Sequence, residues 1–316
     1  MKKLLFAFCL LYLSVAGCVL EIVDSSEQDD RFYPEFSAEV EQPDSDLKTS
    51  LNENRSVVWS AGDQLAIFQG SSIADRYQVK DSSDGQMNAS FSIVRDQGGE
   101  DDDFFGGVEV VFDTNVALYP YQSGLTCAPV YDEDNVICYR ISDVVLPAVQ
   151  AYAANSFAEE SYPMTAVTSG ISDHTLKFRN VCGTLKLQLK GTVKVKTIAL
   201  KGNADEPLAG NAVITAYPDG AVPSIEIAAG ASKTVTLNCG TGVQLNKDTP
   251  TVFMISLPPT AFARGFVATI TASDGSEGKI STTKANPVNR SKTKSMPAVT
   301  IEMNSSIDMN PEEGNM

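Results

Sequence analysis

The sequence predicts an all-β protein built as β-sandwiches, and three observations carry that prediction. Apolar residues recur at every second position in the best-patterned runs, FYPEFSAEVE and TLKFRNVCGTLKLQLKG. A period of two is the signature of a strand with one buried face. Such runs return at intervals of about ten residues with Gly, Pro and Asp between them, the punctuation of antiparallel sandwiches. No stretch beyond about two turns carries the apolar stripe of an amphipathic helix.

The elements follow in order. Residues 1–17 read as a lipoprotein signal peptide. Lys2 and Lys3 give a positive start, and Leu4 to Ala16 is almost wholly apolar, a run too short for a spanning helix. Val15, Ala16 and Gly17 lead into Cys18, and this pattern resembles the bacterial lipoprotein box, in which the cysteine is acylated and becomes the mature N-terminus. Each buried methylene contributes about 0.8 kcal/mol, so several acyl chains hold a protein on a membrane. Residues 18–31 form an acidic tether, polar and poor in aromatics.

A first sandwich domain is expected over residues 32–170. Phe36, Ala38 and Val40 share one face of its opening strand, while Ser37, Glu39 and Glu41 take the other. A polar loop with Lys48 and Arg55 follows. A short strand at Val57–Trp59, a turn at Ala61-Gly62-Asp63 and a strand over Leu65–Phe68 come next. Further strands are expected at Ala89–Val94, Val108–Phe112, Ala117–Tyr119 and Val136–Arg140. LPAVQAYAANSFAEESYPM, broken by Pro147 and Pro163, reads as an irregular crossing between domains.

The second domain is expected over residues 171–303. Leu176 and Phe178 alternate with Lys177 and Arg179; Leu185, Leu187 and Leu189 alternate with Lys186, Gln188 and Lys190. Strands follow at Lys196–Leu200, Ala212–Ala216, Ser224–Ile227, Thr234–Asn238, Thr251–Leu257, Phe266–Thr271 and Ala298–Met303. Residues 304–316 read as a polar tail.

Charge and motif content exclude several functions. The formal net charge is −16, which repels phosphate backbones, and no basic patch offsets it, so nucleic acid is not an expected partner. Losing residues 1–17 removes Lys2 and Lys3 and no acid, which makes the mature chain still more negative. His174 is the single histidine, so neither a catalytic triad nor a two-histidine metal site can be assembled, and it is expected at the surface. Glu100 with Asp101 to Asp103 offers oxygen ligands that suit calcium, but three adjacent aspartates lack the alternate spacing of an EF-hand loop, so a solvated acidic loop is expected. Phosphate loops and nucleophile elbows are absent from the sequence. Trp59 is expected in the core. No enzyme activity, cofactor or metal site is expected.

The six cysteines divide by position. Cys9 leaves with the signal and Cys18 carries lipid. Cys127 and Cys138 flank a turn-like DEDN in CAPVYDEDNVIC and are a candidate disulfide pair in an export compartment. Cys182 and Cys239 sit in strand-like runs, where buried free thiols are expected.

Several strings, taken in order, resemble the fimbrillin-like proteins of Bacteroidales. They are FSAEVE with LKTSL, VVWSAGDQLAIF, LPAVQAYAANSF with Tyr162-Pro163-Met164, LKFRNVCGTLKLQLKG, and the closing NPVNRSKTKSMPAVTI. The lipobox adds to the resemblance, which covers roughly residues 32–303. Acidic residues after Cys18 also resemble a surface-export signal of some lipoproteins of that order. The resemblance implies two tandem transthyretin-like sandwiches on a lipid-anchored protein of the outer-membrane surface or fimbrium. It implies that an arginine- or lysine-directed protease cuts after the first strand, at Arg55 first or Lys48 second, and that a strand from another subunit fills the groove. Val299, Ile301 and Met303 of MPAVTIEM are the donor-strand candidates, since an added strand gains main-chain hydrogen bonds and side-chain pockets. Implied partners are other fimbrial subunits, with host or bacterial surface ligands beyond them. A second reading is a stand-alone surface lipoprotein that binds glycans or host proteins through its loops.

Overall fold

The structure, a computed structural model, describes residues 33–42, 44–45, 58–94, 111–132, 134 and 137–310. The chain opens with β1 (Phe36–Val40) and β2 (Asp44–Ser45), then β3 (Gln64–Gln69), β4 (Asp75–Val79), β5 (Asn88–Ile93) and β6 (Asn115–Tyr119). Its middle forms β7 (Thr126–Tyr131), β8 (Ile137–Leu146), β9 (Val149–Ala151), β10 (Met164–Val167) and β11 (Thr175–Asn180). Next come β12 (Gly183–Lys190), β13 (Lys194–Gly202), β14 (Gly210–Ala216), β15 (Ser224–Ile227) and β16 (Thr234–Gln244). The last strands are β17 (Thr251–Leu257), β18 (Phe266–Ala272), β19 (Glu277–Thr282), β20 (Lys292–Thr300) and β21 (Ser306–Asp308). Helical structure among the described residues is limited to three-residue 3-10 turns. The all-β class expected from the alternation is what the chain adopts.

Seven strands close a barrel in the order β1-β11-β10-β6-β3-β4-β5. Sheet β15-β14-β8-β7 lies over the outer face of this barrel, and two further sheets, β17-β12-β20-β2 and β21-β19-β18-β13-β16-β9, form a sandwich. Burial explains the sequences of the central strands. In β3 and β6, Leu65, Ile67, Ala117 and Tyr119 point into the barrel core, while Ala66, Phe68, Val116 and Leu118 point outward beneath β8 and β14. A strand covered on both faces reads as a continuous apolar run, hence LAIF and VALY. β12 behaves in the same way: Lys186, expected on a solvated face, is 3% exposed.

Local chemistry fixes the connections. Gly62 turns at φ 94°, a left-handed conformation that glycine adopts without a Cβ clash. Asp63 holds that turn by accepting from the Ser60 N–H at 2.7 Å and from the Tyr119 hydroxyl at 3.0 Å. Pro297 lies within β20 where its register against β12 shifts, between the pairs Lys186–Ser295 and Gln188–Ala298. A proline has no N–H for a ladder, and such an irregularity is where a strand tolerates one. The Gln188 side chain donates to the Met296 carbonyl beside it at 2.9 Å. At the edge of its sheet, β17 is capped by Gln150 of β9, which donates to the Ser256 carbonyl at 2.8 Å and accepts its N–H at 3.0 Å.

Strand pairing runs across residue 170, the boundary drawn between the two expected domains. β10 pairs with β11, β8 with β14, and β9 with β16. One buried cluster continues from Phe36, Trp59 and Phe178 in the barrel through Cys182 to Leu187, Ile198 and Phe253 in the sandwich, and residues 34–316 form one compact unit. The two halves are packed as neighbours, with strands from each completing sheets of the other.

Sequence and structure differ at several elements. Residues 58–60 carry no strand; Trp59 is instead held by its N–H to Gln86 and its carbonyl to Gly85. The first three positions of the strand expected at Val108–Phe112 lie outside the described residues, and Val111 and Phe112 are not in a strand. β9 forms inside the stretch read as an irregular crossing. Part of the expected polar tail is ordered into β21, which pairs with β19. Its docking is local chemistry: Ile307 and Met309 pack on the core, and the Asn310 Oδ1 accepts from Thr282 Oγ1 at 2.9 Å and from the Thr283 N–H at 3.1 Å.

Trp59, 1% exposed and edge-on to Phe91, Tyr119 and Phe178 at 5.0–5.5 Å, is the keystone of the barrel interior. Trp59→Ala is expected to lower the unfolding free energy by about 3–5 kcal/mol, measured by urea denaturation followed by circular dichroism.

Candidate functional site

The candidate site is the seat of the N-terminal strand. β1 lies between two neighbours, parallel to β11 and antiparallel to β5. Phe36 and Ala38, each 1% exposed, point into the barrel core. His174 caps this end: its ring meets Phe36 edge-on at 5.2 Å and its carbonyl accepts the Ser37 N–H at 2.9 Å. The lone histidine is therefore half-buried against β1 rather than a free surface residue.

Beyond the other end of β1, Glu41 is locked by charge. Its Oε2 accepts from Arg290 Nη1 at 2.6 Å and from the Asn180 N–H at 2.9 Å; its Oε1 accepts from Arg290 Nη2 at 3.1 Å and Arg179 Nη1 at 3.4 Å. Asn180, fully buried, donates from Nδ2 to the Glu41 carbonyl at 3.0 Å and to the Ser291 hydroxyl at 2.8 Å. Bidentate pairing of arginine with carboxylate is among the stronger polar contacts a protein makes. Burial alone would raise the Glu41 carboxyl, but the Arg290 hydrogen bonds, the Asn180 N–H and the two guanidinium charges hold it below the usual glutamate value. The N-terminal segment then reaches β20, where Asp44 and Ser45 of β2 pair with Lys292 and Thr293. Beside β1 and β11 lies a cleft of about 540 Å³ whose lining includes Glu39, Asp173, Lys177, Arg179, Thr165 and Tyr217.

The residues singled out from sequence fall as follows. Cys18, Lys48, Arg55 and the run Glu100 to Asp103 lie outside the described residues. Val299 sits in β20 opposite Leu189 of β12, and Ile301, 4% exposed, donates its N–H to the Lys190 carbonyl at 2.8 Å. With Met303 they pack on this chain's own core, although the strand expected at Ala298–Met303 ends at Thr300, so only Val299 of the three lies in a sheet. Among the described residues, no group of three His, Cys, Asp or Glu side chains is arranged to hold a metal.

The candidate disulfide is corrected. Cys127 and Cys138 are free and buried, as are Cys182 and Cys239. In the β7–β8 register Cys127 faces Ile141, and Cys138 faces Val130. The two thiols are thus three positions out of register, on opposite faces of the hairpin and about 10 Å apart along it, beyond the reach of a bridge. Sequence reasoning also passed over Glu41 and Arg290, which are 249 positions apart and carry no local signal of their pairing.

No family model matches the chain, and no curated protein matches it. Solved structures do resemble it, and they are Bacteroidales proteins described in terms of adhesion or fimbriae. A candidate cell adhesion protein of Bacteroides ovatus is 15% identical over 86% of this chain and 96% of its own, with a TM-score of 0.45. One of Bacteroides uniformis is 14% identical over 78% and 91%, with a TM-score of 0.42. A fimbrial protein of Bacteroides ovatus is 10% identical over 89% and 55%, with a TM-score of 0.30.

Two predictions follow from this geometry. Burial pushes the thiols up, to about 12 for Cys127 and Cys182 and about 11 for Cys239, and Cys138 is raised as well. A maleimide at mildly alkaline pH should therefore leave these four untouched in the folded protein and label all four after denaturation, as read by mass spectrometry. Because the folded Glu41 pKa is depressed, its stabilisation is complete above the ordinary glutamate value of 4.5. It is lost as pH falls through the folded value. Arg290→Met should cost about 3 kcal/mol near neutrality and lose most of that cost in acid, as read from denaturation curves across pH.

Proposed function

We propose that this chain is an exported, lipid-anchored adhesive protein of the outer-membrane surface. In this reading it is a fimbrillin-type subunit that assembles when its N-terminal strand is cut loose and replaced by a strand of another subunit. Its work is contact and assembly, without bond-making chemistry. The observation that carries the reading is the position of β1: it alone joins β5 to β11 in the closed barrel, and it belongs to the N-terminal segment. Such a strand can leave without unthreading the chain, and its departure bares two sheet edges at once. Unpaired edges are templates for a new strand.

The connection from β2 to β3 supports the same reading, because Lys48 and Arg55 fall within it. A cut there separates β1 and β2 together from the rest of the chain. β2 is the outer neighbour of β20 at Lys292 and Thr293, so its loss bares the start of the strand that holds Val299. One cleavage would thus open the acceptor and bare the start of this strand. Lipidation at Cys18 would keep the process at the membrane.

The cleft lined by Glu39, Lys177, Arg179 and Tyr217 favours the second reading, a stand-alone binder of glycans or host protein, since it joins polar groups of both signs to an aromatic ring. One experiment separates them. The full chain is digested with an arginine-specific protease and concentrated. Assembly predicts an excised N-terminal segment and ladders on unheated gels. A cut chain that stays monomeric and binds a glycan array would overturn assembly in favour of the second reading.

A further inference from the structure

The groups that hold Glu41 all belong to parts of the chain that would remain after β1 departs. Asn180 ends β11, Arg179 precedes it, and Arg290 and Ser291 form the turn before β20. This seat is built rather than incidental. Asn180 is fully buried and turns both amide hydrogens to use, on the Glu41 carbonyl and on Ser291. Its Oδ1 is buried without a partner. A buried acceptor left unpaired is costly, so the amide orientation is set by what must be donated to.

Arg290 is placed with equal care. Its Nη1 also donates to the Asn180 carbonyl at 2.8 Å, and the Ser291 N–H donates to the Cys182 carbonyl at 2.9 Å. The turn carrying Arg290 lies against Gly183, where a Cβ would come within 2.1 Å of the Asn289 carbonyl oxygen. Only glycine permits that approach. A fork of donors is thereby fixed at the point where the N-terminal segment leaves the barrel.

We propose that Arg290, Arg179 and Asn180 form a carboxylate-reading site that selects the incoming strand by an acid at one position. This inference rests on the strand-exchange reading and adds the chemistry of the partner. The strand that fits must read apolar, any residue, apolar, acid, as Ala38-Glu39-Val40-Glu41 does. Within this chain Val299-Thr300-Ile301-Glu302 has the same pattern, so a second copy meets the requirement. A strand with a neutral residue at the acid position leaves two guanidinium groups facing each other without a counter-charge. One with a basic residue adds repulsion, which excludes the wrong partner as well as favouring the right one.

The test uses the full chain cut by an arginine-specific protease. Fluorescent peptides spanning residues 34–45, in native form and with Glu41→Gln, compete with the excised segment, and displacement is read by polarisation. A second pair spans residues 296–303, native and with Glu302→Gln. The expected result is displacement by each acidic peptide and at least about tenfold weaker displacement by each glutamine form, the loss of charge-assisted bonds. Equal displacement by acid and glutamine forms would overturn the carboxylate reader while leaving strand exchange intact. Failure of every peptide to displace the segment would overturn the exchange reading and this inference with it. Because the cut chain keeps its wild-type residues, the result does not depend on any variant folding.

Discussion

Closure of the barrel depends on one strand of five residues. A sheet that curls until its edges meet needs a last strand to satisfy the backbone groups on both sides, and here β1 does so with β5 on one flank and β11 on the other. The β11 pairing is parallel, so the strand lies alongside a neighbour 138 positions away with no hairpin to hold it. Phe36 and Ala38 give it an apolar anchor, and Glu41 gives it an electrostatic one. Phe36 and Ala38 thereby complete the buried cluster that holds Trp59.

The same segment couples the two ends of the molecule. Glu41 is bonded to Arg290, and a few positions later β2 lies against β20. The first described strand and the turn before β20 are therefore mutually stabilising, although the loops between them pass through most of the fold. One buried cluster continues from barrel to sandwich, which joins the N-terminal segment and the C-terminal sheet by packing. Coupling of this kind travels through a contiguous packed network and a specific ion pair.

The fold was legible in the sequence wherever one face of a strand meets water. The alternation in FSAEV, TLKFRN and FVATITA gives strands within a residue or so of those adopted. The strands expected at Leu65–Phe68 and Ala117–Tyr119 also form, but the cover supplied to them from far along the chain was not legible. LAIF and VALY are buried on one face by the barrel core and on the other by a sheet built from residues 126–146 and 210–227, and nothing local reveals that cover. Cysteine spacing suggested a bridge, but the strand register places Cys127 and Cys138 on opposite faces, and register cannot be read from the turn alone. The candidate site was half legible. The strand and the polar loop with Lys48 and Arg55 stand out, whereas the Glu41–Arg290 pair is a meeting of two ordinary surface-type residues from opposite ends of the sequence.

A latch of this strength sets terms for any exchange. A strand held by both apolar burial and a bidentate ion pair leaves slowly by itself, because both contacts must break. An incoming strand that pairs with the bared edge from one end can break them in turn, regaining main-chain hydrogen bonds as the old strand loses them. The carboxylate contact comes beyond the C-terminal end of β1, next to the segment that continues to β2. Only the short β2 pairing with Lys292 and Thr293 stands between it and the loop that holds Lys48 and Arg55. Buried ion pairs add little to stability compared with apolar contacts of the same size, and their best-attested use is to fix register and partner. That is the role the geometry gives Arg290: two guanidinium nitrogens and one amide hydrogen define where along the groove an acid must stand, and so where every apolar side chain of the strand must fall.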